Sequence, residues 1–371
     1  MSLLAGRATA EGTRQFAARF PRTSGFFRTA QHLTVSSIGL GTFPGNADDE
    51  TDAGYEAALE EALEHGCNVI DTSAAYRDQR SERAVGRTLG RLIAAGRLRR
   101  DAVVVASKAG FLPFDSAYDG SVEHYIEETF LRPGIVKPAD IAAGRHCLSP
   151  DFLLHQIRAS RENLGCETLD IYCLHNPETQ LREIDRAEFH ARMRAAFATL
   201  ERALVEGWIG WYGVSTWSGL RSLPDAPDHL QLRDLVRYAE EAGGPDHHFR
   251  VLLVPFNLAM PEAFALSNQR LSDSPPGVPL LRAAADLGLT VFAGSSLHQA
   301  RLARGLPPEL HSLILDGDGT DAQRALQFAR SAPGVTTALV GMSRPANVRE
   351  NLALASVPPL SADRFDALFD P

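Results

Sequence analysis

The chain has 371 residues, 44% of them hydrophobic and 22% charged, a globular composition that excludes a disordered, fibrous or collagen-like protein. Its 37 basic residues against 46 acidic ones leave a formal charge of -9, so the molecule as a whole repels polyanions and nucleic acid is not an expected partner. Apolar stretches such as Val251–Phe256 fall far short of the roughly 20 residues that span a bilayer, so no membrane association is expected.

Cys67, Cys147, Cys166 and Cys173 are scattered and form no CxxC pair. That spacing argues for a reducing, cytoplasmic setting and against a disulfide framework or a zinc site. Up to Arg28 the chain carries Arg7, Arg14, Arg19, Arg22 and Arg28 with Glu11 as its only acid, a charge pattern superficially like an organelle transit peptide. Ala and Arg are abundant throughout, however, and residues 1–30 read as an N-terminal arm, flexible in the absence of packing, before a single domain over 31–371.

After the arm, short apolar runs alternate with amphipathic stretches. Val35–Leu40, Asn68–Asp71 and Ala102–Ser107 read as strands, separated by helices over Asp52–Glu64 and Ser81–Ala95. Ser149 followed by Pro150 opens a helix that runs to Leu164 and stops at Gly165, a capping residue, a first-turn proline and a terminating glycine in their usual places. The rhythm continues with strand Thr168–Leu174, helix Arg186–Glu206, strand Ile209–Ser215, helix Leu230–Ala242 and strand Arg250–Val254. Helix Leu280–Leu287, strand Thr290–Ala293, helix Asp321–Ser331, strand Thr336–Val340 and helix Pro345–Ala355 complete it.

About eight βα units make a (β/α)8 TIM barrel the expected fold. A doubly wound open sheet fits the same alternation, but Gly39-Leu40-Gly41-Thr42 lacks the third glycine of a dinucleotide fingerprint. Two stretches exceed simple connections. One, between Lys108 and Ser149, is rich in Gly, Pro and aromatics including Phe111, Phe114, Tyr118, Tyr125 and Phe130; the other covers Ser295–Asp318. The first falls on the C-terminal face of the barrel, as a lid over a site or as a surface excursion packed by its own aromatics.

Barrel active sites collect at the C-terminal ends of strands. Three successive strands there end at Asp71, Lys108 and His175, with Tyr76 in the loop after the first. Singly, each has an ordinary explanation as a turn, cap or strand terminus. Together they make chemical sense. A phenol with a pKa of about 10 is a poor acid at neutral pH, a nearby ammonium favours its phenolate, a carboxylate holds that ammonium, and an imidazole can orient a carbonyl oxygen.

The stretch Asn68-Val69-Ile70-Asp71-Thr72-Ser73-Ala74-Ala75-Tyr76, followed by Arg80-Ser81-Glu82 and Gly86, resembles a signature of the aldo-keto reductases, as do Ala106-Ser107-Lys108 and Leu169–His175. The resemblance runs from about Leu33 to Ala355 and places the family's catalytic Asp, Tyr, Lys and His on Asp71, Tyr76, Lys108 and His175. It implies an oxidoreductase that uses NADPH, with NADH as the lesser option and no metal, to reduce a small-molecule aldehyde or ketone or to oxidise the corresponding alcohol. It also implies cofactor contacts from Thr42, Asp71, Asn176, Ser215, Thr216, Ser295 and Leu297. At Gly341–Asn351 it puts Ser343, Arg344 and Asn347 near a 2′-phosphate and Glu350 and Asn351 near adenine.

Three positions depart from the family pattern. Thr216 stands where Asn is common, Leu253 where Gln is usual, and Gly294 where an aromatic residue commonly stacks on the nicotinamide. These changes remove a hydrogen bond and a stacking surface, and they motivate an alternative reading, a nicotinamide-binding barrel with a sensing or partner-binding role and little turnover. Trp217, just past a strand end, is a candidate pocket residue, whereas Trp208 and Trp211 read as packing. His146, His155, His247 and His248 form no convincing metal constellation. Substrate identity and oligomeric state stay open at this level.

Overall fold

The computed structural model describes residues 3–272 and 277–369. Eight parallel strands close a barrel: β1 (Ile38–Gly41), β2 (Val69–Asp71), β3 (Val104–Ala109), β4 (Leu169–His175), β5 (Ile209–Ser215), β6 (Phe249–Pro255), β7 (Thr290–Gly294) and β8 (Val335–Gly341). The ring closes where β8 pairs with β1, Ala338 opposite Ile38 through Gly341 opposite Gly41. Helices α1 (Asp49–Glu64), α2 (Arg80–Ala94), α3 (Pro150–Leu164), α4 (Arg186–Val205), α5 (Leu232–Gly243), α6 (Leu280–Asp286), α7 (Asp321–Ser331) and α8 (Pro345–Leu352) each follow the strand of the same number. This is the (β/α)8 barrel expected from the sequence.

Local chemistry sets the helix starts. Asp48 accepts from the Thr51 amide at 2.8 Å, Asp185 from the Glu188 amide at 2.9 Å, and Thr320 and Gln323 form a reciprocal capping box. Helix α3 begins at Pro150 and ends on Gly165 at φ 64°, a conformation that glycine adopts without strain.

Because side chains alternate along a strand, every second residue points into the barrel. Val69, Val104, Ala106, Ile171, Cys173, Val251, Leu253, Phe292 and Leu339 form that inner core, while the other faces pack beneath the helices. Continuing the same alternation toward the strand ends brings Asp71, Lys108, His175 and Ser215 to the top of the inner layer. The barrel thus positions the reactive groups by periodicity alone.

The apolar run Val35–Leu40 is not one strand. A hairpin strand, Leu33–Ser36, pairs antiparallel with Phe27–Ala30, and β1 starts afresh after Ser37. The hairpin and Ala8 place Ala30, Leu33 and Val35 against the inner core, closing the N-terminal end of the barrel. Preceding it, Ala10–Ala18 is a helix capped by Thr9 that buries Phe16. The Asn68 side chain fastens the hairpin, accepting from the Ser36 amide at 2.8 Å and donating to the Thr34 carbonyl at 2.9 Å. Residues 3–30 are therefore packed onto the barrel.

The stretch between β3 and α3 contains a short helix (Val122–Ile126), a turn of π-helix (Glu127–Leu131) and a small hairpin, Ile141–Ala142 with His146–Cys147. The stretch after β7 is mostly turns, with a short helix at His311–Ile314. Among the described residues, no helix is long and apolar enough to cross a membrane, and no cluster of His, Cys, Asp and Glu is arranged to hold a metal.

Candidate active site

Lys108 is the hub of the site. Its Nζ lies 2.6 Å from Asp71 Oδ1, donates to the Thr72 carbonyl at 2.9 Å and reaches the Tyr76 hydroxyl at 3.2 Å. Its side chain is 1% exposed and that of Asp71 8%, so the pair interacts in surroundings that screen it little. The Tyr76 ring meets the ring of His175 edge-on at 5.8 Å and packs against Phe43. The three strand-end residues and Tyr76 from the loop therefore converge on one point.

Burial and charge set their protonation. Burial works against the Lys108 charge, but Asp71 and the Tyr76 oxygen outweigh it and hold the ammonium above its ordinary pKa. For Asp71 and Tyr76 burial dominates and pushes each upward, with Lys108 pulling the other way. Tyr76 is thus a neutral phenol at rest, with a cation beside its oxygen. His175 is held well below the usual imidazole range by burial and then by the Lys108 charge, so its ring is neutral.

The loop carrying Tyr76 is fixed from several sides. Tyr76 donates its amide to the Ser73 carbonyl at 3.0 Å, and the next three residues, Arg77, Asp78 and Gln79, all have positive φ, at 51°, 54° and 69°. The Arg77 guanidinium donates to the Asn46 carbonyl at 2.7 Å and pairs with the Asp52 carboxylate, which holds this left-handed turn against the foot of α1. Behind Lys108, buried Glu82 accepts from the Ser107 hydroxyl at 2.5 Å and from Asn163 at 2.9 Å, bracing β3 against α2 and α3.

A cleft of about 1020 Å³ opens over Tyr76 and His175 and continues across the barrel mouth. At the Tyr76 end its walls are Phe43, Phe111, Phe114 and Trp217, together with Asp78 and Arg145. Asn176, Ser215, Thr216, Leu253, Gly294, Ser295 and Leu297 line the middle, and Asn347, Glu350 and Asn351 the far end. Two of the lining residues carry a buried polar atom without a protein partner: Thr216 Oγ1 in the middle and Asn351 Oδ1 at the far end.

Some predicted contacts lie elsewhere. Thr42 is 1% exposed, bonds Thr72 Oγ1 at 2.9 Å, and does not face the cleft. Ser343 and Arg344 stand at the start of α8 outside the cleft lining, with Arg344 exposed as the residue that caps the helix. Asn176 adopts φ 50° and donates its amide to the Ser215 carbonyl at 2.6 Å. Trp217 does line the cleft, and its amide is held by Glu178 Oε1 at 2.6 Å. Two participants had no sequence signal: Glu178, which organises the Trp217 turn, and His146, whose Nε2 lies 2.8 Å from the His175 carbonyl.

A sequence profile of the Aldo/keto reductase family matches residues 37–236, more than half of the chain, and the chain belongs to that family. Among curated proteins it is 24% identical over 359 residues to a D-threo-aldose 1-dehydrogenase from Pseudomonas sp., covering 88% of this chain and 92% of that protein. Among solved structures, an aldo/keto reductase from Klebsiella pneumoniae in complex with NADP and acetate superposes with a TM-score of 0.59 at 22% identity, over 94% of this chain and 96% of its own. The holo form of an aldo-keto reductase from Bacillus halodurans gives a TM-score of 0.60 at 19% identity, covering 92% and 95% of the two chains.

Proposed function

We propose that this chain is an NADPH-dependent oxidoreductase that reduces an aldehyde or ketone, or oxidises the corresponding alcohol, with Tyr76 as general acid and base. The observation that carries this reading is the Asp71–Lys108–Tyr76 chain of contacts at 2.6 Å and 3.2 Å, set beside the His175 ring at the floor of a cleft.

The cofactor fits the residues present. The orphaned Thr216 Oγ1 and Asn351 Oδ1 mark polar positions at the middle and far end of one continuous cleft, where the polar groups of a bound dinucleotide would satisfy them. Asn176, Ser215 and Thr216 would hold the carboxamide; Ser295 and Leu297 the linking phosphates; Asn347, with Ser343 and Arg344 at its rim, the 2′-phosphate; Glu350 and Asn351 the adenine. The NADP held by the Klebsiella neighbour supports the same choice, and NADH remains the weaker option. When bound, the reduced nicotinamide supplies a hydride to the carbonyl carbon.

The chain's own residues do the rest. Tyr76, a neutral phenol, gives its proton to the carbonyl oxygen as charge develops there, and Lys108 stabilises the phenolate left behind. Asp71 keeps Lys108 charged and aimed. His175 orients the carbonyl oxygen toward Tyr76, and solvent returns the proton to the phenolate after release. The aromatic walls, with Asp78 and Arg145 among them, suit an apolar carbonyl or the ring face of a sugar. The name of the Pseudomonas relative puts aldoses in the substrate panel.

Tyr76→Phe is the test. Turnover across a panel of aldehydes, ketones and aldoses is expected to fall by about 10²-fold or more, while NADPH affinity, read from nicotinamide fluorescence, stays within about twofold. Wild-type turnover by the variant would refute the role of Tyr76. Tight NADPH binding by the parent protein with no turnover on any substrate would favour the sensing alternative.

A further inference from the structure

The catalytic assignment leaves His146, a fully buried histidine next to His175, unused. His146 is 0% exposed and sits on the insertion between β3 and α3, where residues 110–112 run antiparallel to 145–147. Its polarity can be worked out from one fixed donor. The Arg192 guanidinium can only donate, and its Nη1 lies 2.7 Å from Gln180 Oε1, so that end of the amide is the acceptor. Gln180 Nε2 therefore donates, and it points at His146 Nδ1 at 2.8 Å. Nδ1 must accept, which leaves the ring proton on Nε2, 2.8 Å from the His175 carbonyl oxygen. Every partner in the chain agrees with a single neutral tautomer.

Two further features concentrate on the same spot. A Cβ added at Gly110 would lie 2.3 Å from the His175 carbonyl oxygen and 2.9 Å from His146 Nε2, so only glycine lets the insertion come this close. Phe111 places its ring edge-on to both His146 and His175, at 4.9 Å and 5.3 Å. Arg192 meanwhile donates to the carbonyls of Ala139 and Asp140 at 2.9 Å and 3.1 Å, which ties the base of the insertion to α4.

We infer that His146 is a positioning residue for His175: the relay from Arg192 through Gln180 to His146 fixes the backbone carbonyl of His175, and with it the direction in which that imidazole meets the substrate. Seen this way, the 110–148 insertion does more than wall the cleft, because its hairpin sets the group that orients the carbonyl. The inference rests on the reading of His175 proposed above. Burial holds the His146 ring down to about 4, so the donor tautomer persists across the neutral range.

The test compares His146→Phe, which keeps a ring against Phe111 but has no N–H, with His146→Gln, whose amide can donate from nearly the same place. His146→Phe is expected to lower kcat about tenfold or more, since small displacements of an orienting group are costly, with NADPH affinity within about twofold. His146→Gln should recover most of the loss. A folded His146→Phe with parental kcat overturns the inference, and so does a loss shared equally by kcat and NADPH affinity that His146→Gln does not repair.

The imidazole nitrogen resonances of His175, assigned with a His175→Asn control, are read in parallel without any turnover. They should move in His146→Phe and return in His146→Gln; unmoved resonances also overturn the inference. If the parent protein turns over no substrate, the proposed activity fails and these spectra still decide the role of His146. Should His146→Phe not fold, Gln180→Met leaves the histidine in place but removes the donor to Nδ1. It must then disturb the same resonances for the inference to stand.

Discussion

Lys108→Met isolates what the buried charges cost. The substitution keeps the aliphatic stem of Lys108 and removes the one cation within 2.6 Å of a carboxylate that is 8% exposed. Left ionised and unpaired, Asp71 would pay a large desolvation cost, so in the variant it takes up a proton instead. That proton has a definite cost. With an unfolded-state pKa of about 3.9, holding the group protonated costs about 1.4 kcal/mol for each pH unit above that value, or about 4 kcal/mol at pH 7 and about 1.5 kcal/mol at pH 5. Loss of the bonds to the Thr72 carbonyl and Tyr76 adds about 1 kcal/mol that does not depend on pH in this window.

The sign follows from proton counting. Burial already raises Asp71, and removing Lys108 takes away the opposing pull, so between its unfolded and folded pKa values the folded state binds more protons than the unfolded one. Stability of the variant therefore falls as pH rises through that interval. Urea unfolding of parent and variant should show a gap of about 5 kcal/mol at pH 7 that narrows by about 2.5 kcal/mol at pH 5. Adding Asp71→Asn to the variant removes the titrating group and should flatten the dependence. A gap below about 1 kcal/mol that is the same at both pH values would refute the buried ion pair.

The turn after Tyr76 and the far end of the cleft give two more tests. Arg77→Ala should destabilise the fold by about 1–3 kcal/mol, since Asp52 keeps Arg80 at 2.9 Å and Arg87 at 3.1 Å and is not stranded. Arg77→Gly should be more stable than Arg77→Ala by about 1 kcal/mol, because φ is 51° there; the reverse order in thermal melts would show that the left-handed turn is not what the position requires. Asn347→Asp puts a negative charge beside the expected 2′-phosphate, so the ratio of NADH to NADPH dissociation constants should fall about tenfold, which is about 1.4 kcal/mol. Equal weakening of both cofactors would place the phosphate elsewhere.

The strands were legible because their chemistry is local. Val69, Ile70 and Asp71, or Ile171 through His175, are apolar runs with a reactive residue at the end, and strand alternation carries Asp71, Lys108 and His175 to the same face. Val35–Leu40 misled as a single run because hydrophobicity does not record where pairing partners change; Ser37 separates an antiparallel hairpin from a parallel barrel strand. Thr42 follows a strand end as the site residues do, yet its hydroxyl satisfies itself on Thr72. His146 and Glu178 were invisible for a further reason. Each acts through a backbone group, the His175 carbonyl and the Trp217 amide, and a backbone partner leaves no mark on the residue type at the position it serves.

Of the three departures from the family pattern, those at Leu253 and Gly294 are, physically, one. Leu253 on β6 and Gly294 on β7 lie on adjacent strands and both line the cleft. A Cβ at position 294 would sit 2.9 Å from Leu253 Cδ2, so a side chain there and Leu253 in its present rotamer exclude each other. Where the family carries a hydrogen-bonding residue on β6 and an aromatic on β7, this chain keeps an apolar surface but supplies it from β6. What is lost is a polar contact from position 253, while the hydrophobic floor is moved by one strand rather than removed. Counting the two substitutions separately therefore overstates the damage to a cleft whose walls also include Asp71 and Tyr76, with their contacts to Lys108 intact.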